Sequence, residues 1–550
     1  MNLSSLHRLD QHCHTLASLT GQMIYIVGGC VRDLLIGHTT MLEDIDATCA
    51  CDPHQLYHRL RKHQLPGFFW TEKFGTLSFR STDNATTYEI TPMRCETGYD
   101  DARHPTHVTR TSRLLDDAVR RDFSVNCLYY TTFESPLTLL PDEVDDSPCR
   151  IEEGVLILTD HAQIDAFTSD PYNFCYINHL TGTIRVLIDP YAGLECISPL
   201  RLACVGNPLD RLYEDSLRII RALRFVSIFA FQTSKGCDIH KETWTALKQT
   251  FHLVPHIAKE RIHNEILKVL DQGSMFCFVS LCDELNILKY LFPSLYACKN
   301  IHQPVRYHPF DVYAHTLLCL HAADVRSLDP YAKLALVFHD VGKVDQYYAY
   351  GIVGDKNEAS KIPARNHRNT SSVLARPDLE RLGFSRKEID RVCRYIDHHH
   401  DAEQILASKE SKHHLKLKKL LTDCGEAQMV INLWRLSQCD RIGQYNMLQR
   451  DTYKELDYLV TLTENIVKQE GIHHRKDLAI NGHDLLARGY QAGPELGQLL
   501  DQCFHYALED WHTRNTQEAL FAYCDQLTKK KTNTMSQTST SSENNEKKPV

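Results

Sequence analysis

The sequence predicts a multidomain protein, an α+β head followed by an all-α remainder. Three observations carry that reading. Strand-like and helix-like segments alternate over residues 23–130. From Leu200 to Leu527 the apolar spacing is largely helical. The chain has 550 residues, 43% hydrophobic and 24% charged, which suits roughly three or four globular domains.

In chain order, Met23–Val27 is a short apolar strand ending at Gly28-Gly29, and Cys30–Ile36 has helical spacing that stops at Gly37. Asp44–Thr48 alternates as a strand and Pro53–His63 reads as a helix. Phe68–Trp70, Thr76–Arg80 and Thr87–Thr91 read as strands between turn residues. Arg94–Arg113, with Gly98, Pro105 and alternating charges, reads as a mobile loop. Residues 131–188 read as an acidic, irregular insertion with two apolar runs, Val155–Leu158 and Thr183–Ile188. Lys343–Asn366 reads as a long loop inside the helical region. Residues 528–550, almost without large apolar side chains, read as disordered.

Composition narrows the function classes. No apolar run approaches the ~18 residues of a membrane span. The N-terminus lacks a basic region followed by an apolar core, so no secretory signal is expected. Twenty scattered cysteines without a C-x-x-C pair read as free buried thiols in a reducing cytoplasm. A formal charge of −9 argues against a nucleic-acid partner. That objection is local: ten acidic and two basic residues between 131 and 188 give −8, leaving −1 elsewhere. Such a segment should lie away from any polyanion.

Two constellations carry chemistry. In the first, a strand ends in Gly28-Gly29 and a helix follows, so backbone N–H groups and a dipole end are open to a phosphate, with Arg32 on the first turn. Asp44 and Asp46, two apart on a strand, share a face and suit Mg²⁺ held with substrate phosphates. Arg120–Asn126 (RRDFSVN) sets Arg121, Asp122 and Asn126 on roughly two helical turns. Asp189–Gly193 is a strand-ending turn. Glu214–Phe225 places Asp215, Arg218, Arg221 and Arg224 at three-residue steps beside an apolar row.

Taken in order, these segments resemble the class II tRNA nucleotidyltransferase and bacterial poly(A) polymerase superfamily. GGxVRDxLxG and DxD match 28–46, RRDFTxN matches 120–126, the D-P-x-x-G turn matches 189–193, EDxLRxxRAxRF matches 214–225, and ERIxxE matches Glu260–Glu265. Tyr99–Val108 is similar to the family's flexible loop. The likeness covers roughly residues 20–300. It implies a polymerase β-like nucleotidyltransferase head in which Asp44 and Asp46 hold catalytic Mg²⁺ and activate an RNA 3′-hydroxyl. Gly28, Gly29 and Arg32 would meet the triphosphate, and Asp122 and Asn126 the ribose, with Arg121 on the nucleotide. Asp215 and Arg218 would read the base edge of CTP or ATP. Arg221 and Arg224 would support the site or touch phosphate, and Glu260, Arg261 and Glu265 would brace the base-reading helix. Two departures are Ser216 in the fourth motif and the long 131–188 segment.

The second constellation follows residue 300, where the 31 histidines concentrate. His315 precedes an apolar helix ending in His339-Asp340-Val341-Gly342-Lys343, followed by His367, His398-His399-His400 and Asp440. Imidazoles and carboxylates suit a divalent transition metal. The pattern resembles the HD phosphohydrolase superfamily. It implies His315, His339, Asp340 and Asp440 as core ligands, His367 with His398 or His399 for a second metal, and Lys343 on phosphate. Helical phase alone does not choose among the three consecutive histidines. A head followed by an HD domain is the arrangement of one branch of bacterial CCA-adding enzymes, and implies 2′,3′-cyclic phosphodiesterase, 2′-nucleotidase and phosphatase activity at tRNA 3′ ends.

The expected domains are the head at 1–198, a helical neck and body at 199–301, an HD domain at 302–470 and a helical tail at 471–527. The expected partners are tRNA, CTP and ATP, with no DNA and no membrane. The sequence does not set an oligomeric state. The rival functions are a poly(A) polymerase, an enzyme adding only A or only CC, an HD hydrolase of small nucleotides with a regulatory head, and a non-catalytic RNA-binding relic. Intact Asp44, Asp46, Asp215 and Arg218 oppose the last.

Overall fold

Alternation sets the face of the central strand. In Asp44–Thr48 the side chains of Ile45 and Ala47 are buried while Asp44 and Asp46 are exposed. The computed structural model describes residues 2–38, 42–72, 75–99, 105–134, 150–171, 183–233, 236–303, 310–326, 328–349, 367–444 and 451–528. It divides into two units, one of residues 1–293 with 381–384, the other of 294–380 with 385–550.

The first unit is built on a mixed nine-stranded sheet. Its strands are β1 (Tyr25–Val27), β2 (Asp44–Thr48), β3 (Phe69–Thr71), β4 (Thr76–Arg80), β5 (Thr87–Ile90), β8 (Tyr129–Glu134), β9 (Arg150–Glu152), β10 (Val155–Leu158) and β11 (Thr183–Ile188). A separate hairpin pairs β6 (Arg94–Tyr99) with β7 (Pro105–Arg110). The sheet order is β3-β4-β5-β2-β1-β8-β11-β10-β9. β2 runs parallel to β5 and antiparallel to β1, with Asp46 opposite Glu89. Helices α1 (Asp10–Thr20), α2 (Gly29–Ile36), α3 (Pro53–Arg61), α4 (Leu114–Val119) and α5 (His161–Ser169) belong to the head. The helical part carries α6 (Pro208–Glu214), α7 (Leu217–Gln232), α8 (Lys241–Thr250) and α9 (Lys259–Gln272). Val27, Tyr129, Leu156, Ile164, Phe167 and Ile188 share one buried core.

The second unit is helical. Val312–Val325, Pro330–Phe338, His367–Arg381, Arg386–His398 and Ala427–Gly443 are its principal early helices. Asp311, Asp329 and Ser385 cap three of them, Ser385 in a reciprocal capping box with Glu388. A separate core of Ile480, Leu485, Leu500, Cys503 and Leu520 organises the last helices. No helix among the described residues is long and apolar enough to cross a membrane, and every described cysteine is free.

Four sequence expectations are corrected. Arg94–Arg113 is not a loop: its two polar arms pair as β6 and β7, because ladder hydrogen bonds need no apolar face. Residues 100–104, the centre of the expected flexible loop, lie outside the described residues. Arg120–Asn126 does not span two helical turns. α4 ends at Val119, Phe123 is extended, and Ser124–Asn126 is one 3₁₀ turn. Phe123 bridges Cys204 and Ser124 N–H donates to Ala203 O, so this segment pairs sideways instead of coiling. Third, 131–188 is not a separate insertion where it is described. β8 to β11 extend the main sheet, and β10 is buried at all four residues, which its acidic surroundings concealed. Residues 135–149 and 172–182 lie outside the described residues. Fourth, Lys343–Ala349 is helical, so the expected Lys343–Asn366 loop does not begin at Lys343. Residues 350–366 and 529–550, the rest of that loop and the expected disordered tail, are also outside the described set.

Candidate functional site

The first site forms where β2 and β5 run side by side. Asp46 and its register partner Glu89 line a cavity of about 420 Å³ together with Ser78, Arg94, Arg120 and Arg121. Although Asp46 stays open to solvent along β2, desolvation by the protein packed around its carboxyl raises it above its ordinary value. Arg121 opposes that shift and Asp44 adds to it. Glu89 is raised for the same first reason, then by Asp46 and Asp44. Glu89 therefore joins the carboxylate pair, which sequence reading missed. Its only signal was parity, since Tyr88 and Ile90 are buried and Glu89 must face the other way.

The arginines are held from behind by a second missed residue, Asp117. Fully buried on α4, it accepts from Arg120 Nε at 2.9 Å, from an Arg121 terminal nitrogen at 3.0 Å and from the Tyr129 hydroxyl at 3.1 Å. Burial alone would raise this carboxyl, but Arg121 and Arg120 hold it below the ordinary range. Arg121 also donates to Tyr129 Oη at 2.9 Å and lies 5.0 Å from that ring's centre.

Gly28 precedes α2 at φ 85°, a backbone state that favours glycine. Arg32 on the same helix is buried. It donates to Asp33 at 2.7 Å and to Asn126 Oδ1 at 2.5 Å, and its guanidinium lies 5.3 Å from the Phe225 and Phe229 rings. Asn126 in turn donates to Asp122 Oδ1 at 3.2 Å, and Arg221 Nε donates to Asp122 Oδ2 at 2.9 Å. Burial opposes ionisation of Asp122, yet Arg221 and these hydrogen bonds lower it to about 2. The turn at 189–193 is closed by Asp189, which accepts from Gly193 and Leu194 N–H at 2.7 and 2.9 Å. A Cβ on Gly193 would sit 2.5 Å from Ser124 O, so glycine lets this turn touch the 3₁₀ segment.

Asp215 precedes α7 and is not one of its turns. Arg261 of α9 holds it with two hydrogen bonds of 2.9 and 2.8 Å. Arg218 is buried and donates to Glu214, Arg211 O and Arg120 O at 2.7 to 2.9 Å. Arg224 forms an ion pair with buried Glu265 at 2.5 Å, and burial lowers its pKa to about 10 against the pull of Glu265. Glu260 is exposed on the first turn of α9.

The second site lies inside the other unit. His315 Nε2 is 3.2 Å from His339 Nε2, 3.0 Å from Asp440 Oδ1 and 3.4 Å from Asp340 Oδ2. His367 Nε2 is 3.0 Å from Asp340 Oδ1 and 3.3 Å from His400 Nε2. Lys343 Nζ donates to Asp340 Oδ2 at 2.5 Å and to Gln303 at 2.7 Å. Nδ1 of His339 meets Leu336 O at 2.8 Å and Nδ1 of His399 meets Ile396 O at 2.5 Å, which turns Nε2 of each toward the cluster. His399 Nε2 is buried without a hydrogen-bond partner. The donor set of imidazoles and carboxylates with this orphaned nitrogen fits a divalent transition metal. Two groups of potential ligands stand together, His315 with Cys319, His339 and Asp440, and His367 with His399 and His400. His398 turns instead to Asp401 at 2.7 Å. A helix ends at His398 and another starts at Asp401, so no single helical phase relates the three histidines.

Residues 24–145 match the family described as Poly A polymerase head domain, 236–298 the probable RNA and SrmB-binding site of polymerase A, and 370–524 a putative tRNA nucleotidyltransferase domain 2. The CCA-adding enzymes of Bacillus cereus (strain AH187) and Bacillus anthracis are each 29% identical over 250 residues, 46% of this chain and 47% of theirs. The match thus spans about half the length of those relatives. The Bacillus stearothermophilus CCA-adding enzyme in complex with CTP aligns over 97% of this chain and 98% of its own, with a TM-score of 0.58 and 19% identity. A CCA-adding enzyme solved with ATP aligns over 96% and 98%, with a TM-score of 0.52 and 16% identity. The fold is therefore that of a polymerase-type α+β head with a mostly helical remainder. It is the fold of CCA-adding enzymes of known structure.

Proposed function

We propose that this protein completes tRNA 3′ ends, adding CCA from CTP and ATP with release of pyrophosphate, in the cytoplasm. The observation that carries the reading is the pair Asp44 and Asp46 on one face of β2, with Glu89 beside Asp46 and Arg121 lining the same cavity. Mg²⁺ held by those carboxylates would supply charge neutralisation at the triphosphate and a more acidic 3′-hydroxyl. The chain's own part is positioning. Arg120 and Arg121, fixed by Asp117, offer donors to phosphate oxygens. Gly28 and Gly29 allow backbone approach, and Arg32, Asp122 and Asn126 form one hydrogen-bonded unit beneath them. Asp215 and Arg218 provide a carboxylate acceptor and guanidinium donors for the base edge, and each is already held by protein partners, so the protein can select the base without a template.

Incubation with tRNA lacking its 3′ end, with CTP and ATP singly and together, tests this. Sequenced products should end in CCA. Long poly(A) products would overturn the reading, and products ending in CC or carrying A alone would restrict it to a partial enzyme.

We infer a second activity from the histidine–aspartate cluster, phosphohydrolysis at damaged tRNA 3′ ends. His315, His339, Asp340 and Asp440 would hold a divalent metal, and His367, His399 and His400 a second. Such a metal would supply Lewis-acid activation of a phosphate ester. Lys343, bonded to Asp340, would present its charge to the phosphate. A 2′,3′-cyclic nucleotide, a 2′-nucleotide and a phosphomonoester are the substrates to assay. No turnover of any of them with added transition metals would remove this activity.

A further inference from the structure

Cys49 and Cys51 stand together where β2 runs out, just past Asp46. Their sulfurs are 3.0 Å apart and share a hydrogen bond. Closing to the S–S bond length of about 2.05 Å asks for a shift of about 1 Å. The two thiols differ. Cys49 is fully buried, whereas Cys51 is partly open to solvent. The hydrogen bond from Cys49 holds the Cys51 thiol below its ordinary pKa, and the Arg59 and Arg110 guanidiniums add to that against burial. Cys51 is therefore the accessible nucleophile of the pair. Cys503 and Cys524 make the contrast: their sulfurs are 3.3 Å apart, but both are fully buried in the core of the last helices, out of reach of an external reagent. The Cys49–Cys51 bend is also tied to the candidate transfer site. Cys49 O accepts from Met93 N–H at 3.0 Å. Asp52 accepts from the His54 and Gln55 N–H groups at 2.9 and 3.0 Å, which starts α3, and it pairs with Arg110 of β7. The register partner of Arg110 across the hairpin is Arg94, which lines the cavity with Asp46. A bond between Cys49 and Cys51 would tighten a segment that joins β2, α3 and this hairpin.

We propose that Cys49 and Cys51 are a redox modification site, a dithiol that closes reversibly to a disulfide and, when closed, slows nucleotide transfer at the head. The effect on transfer rests on the nucleotidyltransferase reading, and the thiol chemistry does not. The oxidant is a small aliphatic disulfide of the glutathione class. The Cys51 thiolate attacks one of its sulfurs, which forms a mixed disulfide and expels one small thiol. Cys49 then gives up its proton to solvent and attacks Cys51 Sγ, which expels the second small thiol. Two protein thiols are oxidised to one disulfide, and one small disulfide is reduced to two thiols. Excess small thiol drives the same steps backwards.

The test equilibrates the full chain in glutathione buffers of graded composition, quenches it in acid, alkylates free thiols in denaturant and maps them by peptide mass. The expected result is a Cys49–Cys51 disulfide that excess thiol removes, with Cys503 and Cys524 still alkylated. CMP incorporation into tRNA lacking its 3′ end, followed in the same buffers, should fall at least about tenfold as the bond forms and return on reduction. Cys49→Ser should stop at the mixed disulfide on Cys51. Cys51→Ser should take up no glutathione at Cys49 and should incorporate equally in every buffer. Cys49 and Cys51 still free in the most oxidising buffer, or disulfides only between other cysteines, overturn the site. A Cys49–Cys51 disulfide that leaves incorporation unchanged overturns its control of transfer. If the disulfide forms but the reduced chain incorporates nothing, the transferase reading falls and the redox site stands. Should either serine variant not fold, the thiol map and incorporation of the unaltered chain decide alone.

Discussion

Asp46 and Glu89 are register partners across the parallel strands β2 and β5, and both carboxyls are held above their ordinary values. Partial desolvation by the surrounding protein is the first cause for each, and repulsion from Asp46 and Asp44 adds to it for Glu89. The sign follows. A carboxyl raised on folding contributes stability below its unfolded pKa, and that contribution is lost as pH rises through the raised folded pKa. Metal-free protein with Asp46→Asn should therefore melt higher than the unaltered protein at neutral pH, with the gap closing in acid, while CMP incorporation disappears. Thermal melts across pH, in chelator, check this. An unchanged gap would show that the carboxylates are not mutually strained. Glu89→Gln should keep the fold and lower incorporation about 10- to 100-fold.

Asp117 never reaches the cavity, yet it sets two of the cationic groups that line it. Removing a buried charge that holds two arginines leaves them uncompensated, at a cost of about 3–5 kcal/mol. Asp117→Asn keeps the volume and should lower stability by that order while raising KM for CTP and ATP alike. Tyr129→Phe, which removes only a hydroxyl bonded to the same carboxylate, should cost about 1 kcal/mol. Chemical denaturation and steady-state kinetics read both. Selective loss of one nucleotide would mean that Asp117 acts on base choice and not on the phosphates.

The two centres belong to different units and use no common residue. Asp44→Ala should abolish nucleotide incorporation and leave hydrolysis of a 2′,3′-cyclic nucleotide intact, and Asp340→Ala should do the reverse. Parallel assays on each variant check this. Full incorporation by Asp44→Ala would make the head a binding module attached to a hydrolase.

What the sequence disclosed and what it hid have physical reasons. Asp44–Thr48 and Thr76–Arg80 are strands with the expected bounds, because period-two alternation is a local signal, whereas Val155–Leu158 and Thr183–Ile188, read only as apolar runs in an irregular segment, are strands of the main sheet. Glu89 was hidden because its role depends on which strand lies beside β2, and that partner is a long-range choice. The β6–β7 hairpin was hidden because its strands carry polar residues on a small separate sheet. Asp117 sits in an ordinary helical stretch, and only tertiary contact makes it an anchor.

Two glycines divide the histidine–aspartate cluster between them. A Cβ at Gly443 would meet the His315–Cys319 pair, whereas one at Gly342 would press into His367 O and lie 2.6 Å from Ser371 N. Gly342 N–H also donates to Ser371 Oγ at 2.9 Å, tying the turn to the start of the helix that carries His367. The obstacle is largely backbone, so it cannot swing aside like a flexible side chain. Gly342→Ala should therefore displace His367 from its 3.0 Å contact with Asp340, at a stability cost of roughly 1–3 kcal/mol. Metal analysis should find one ion fewer per chain. Gly443→Ala should do the opposite, removing the ion beside His315 and sparing the one at the histidine trio. If both substitutions remove the same ion, the cluster holds a single metal, and Asp340 does not join two.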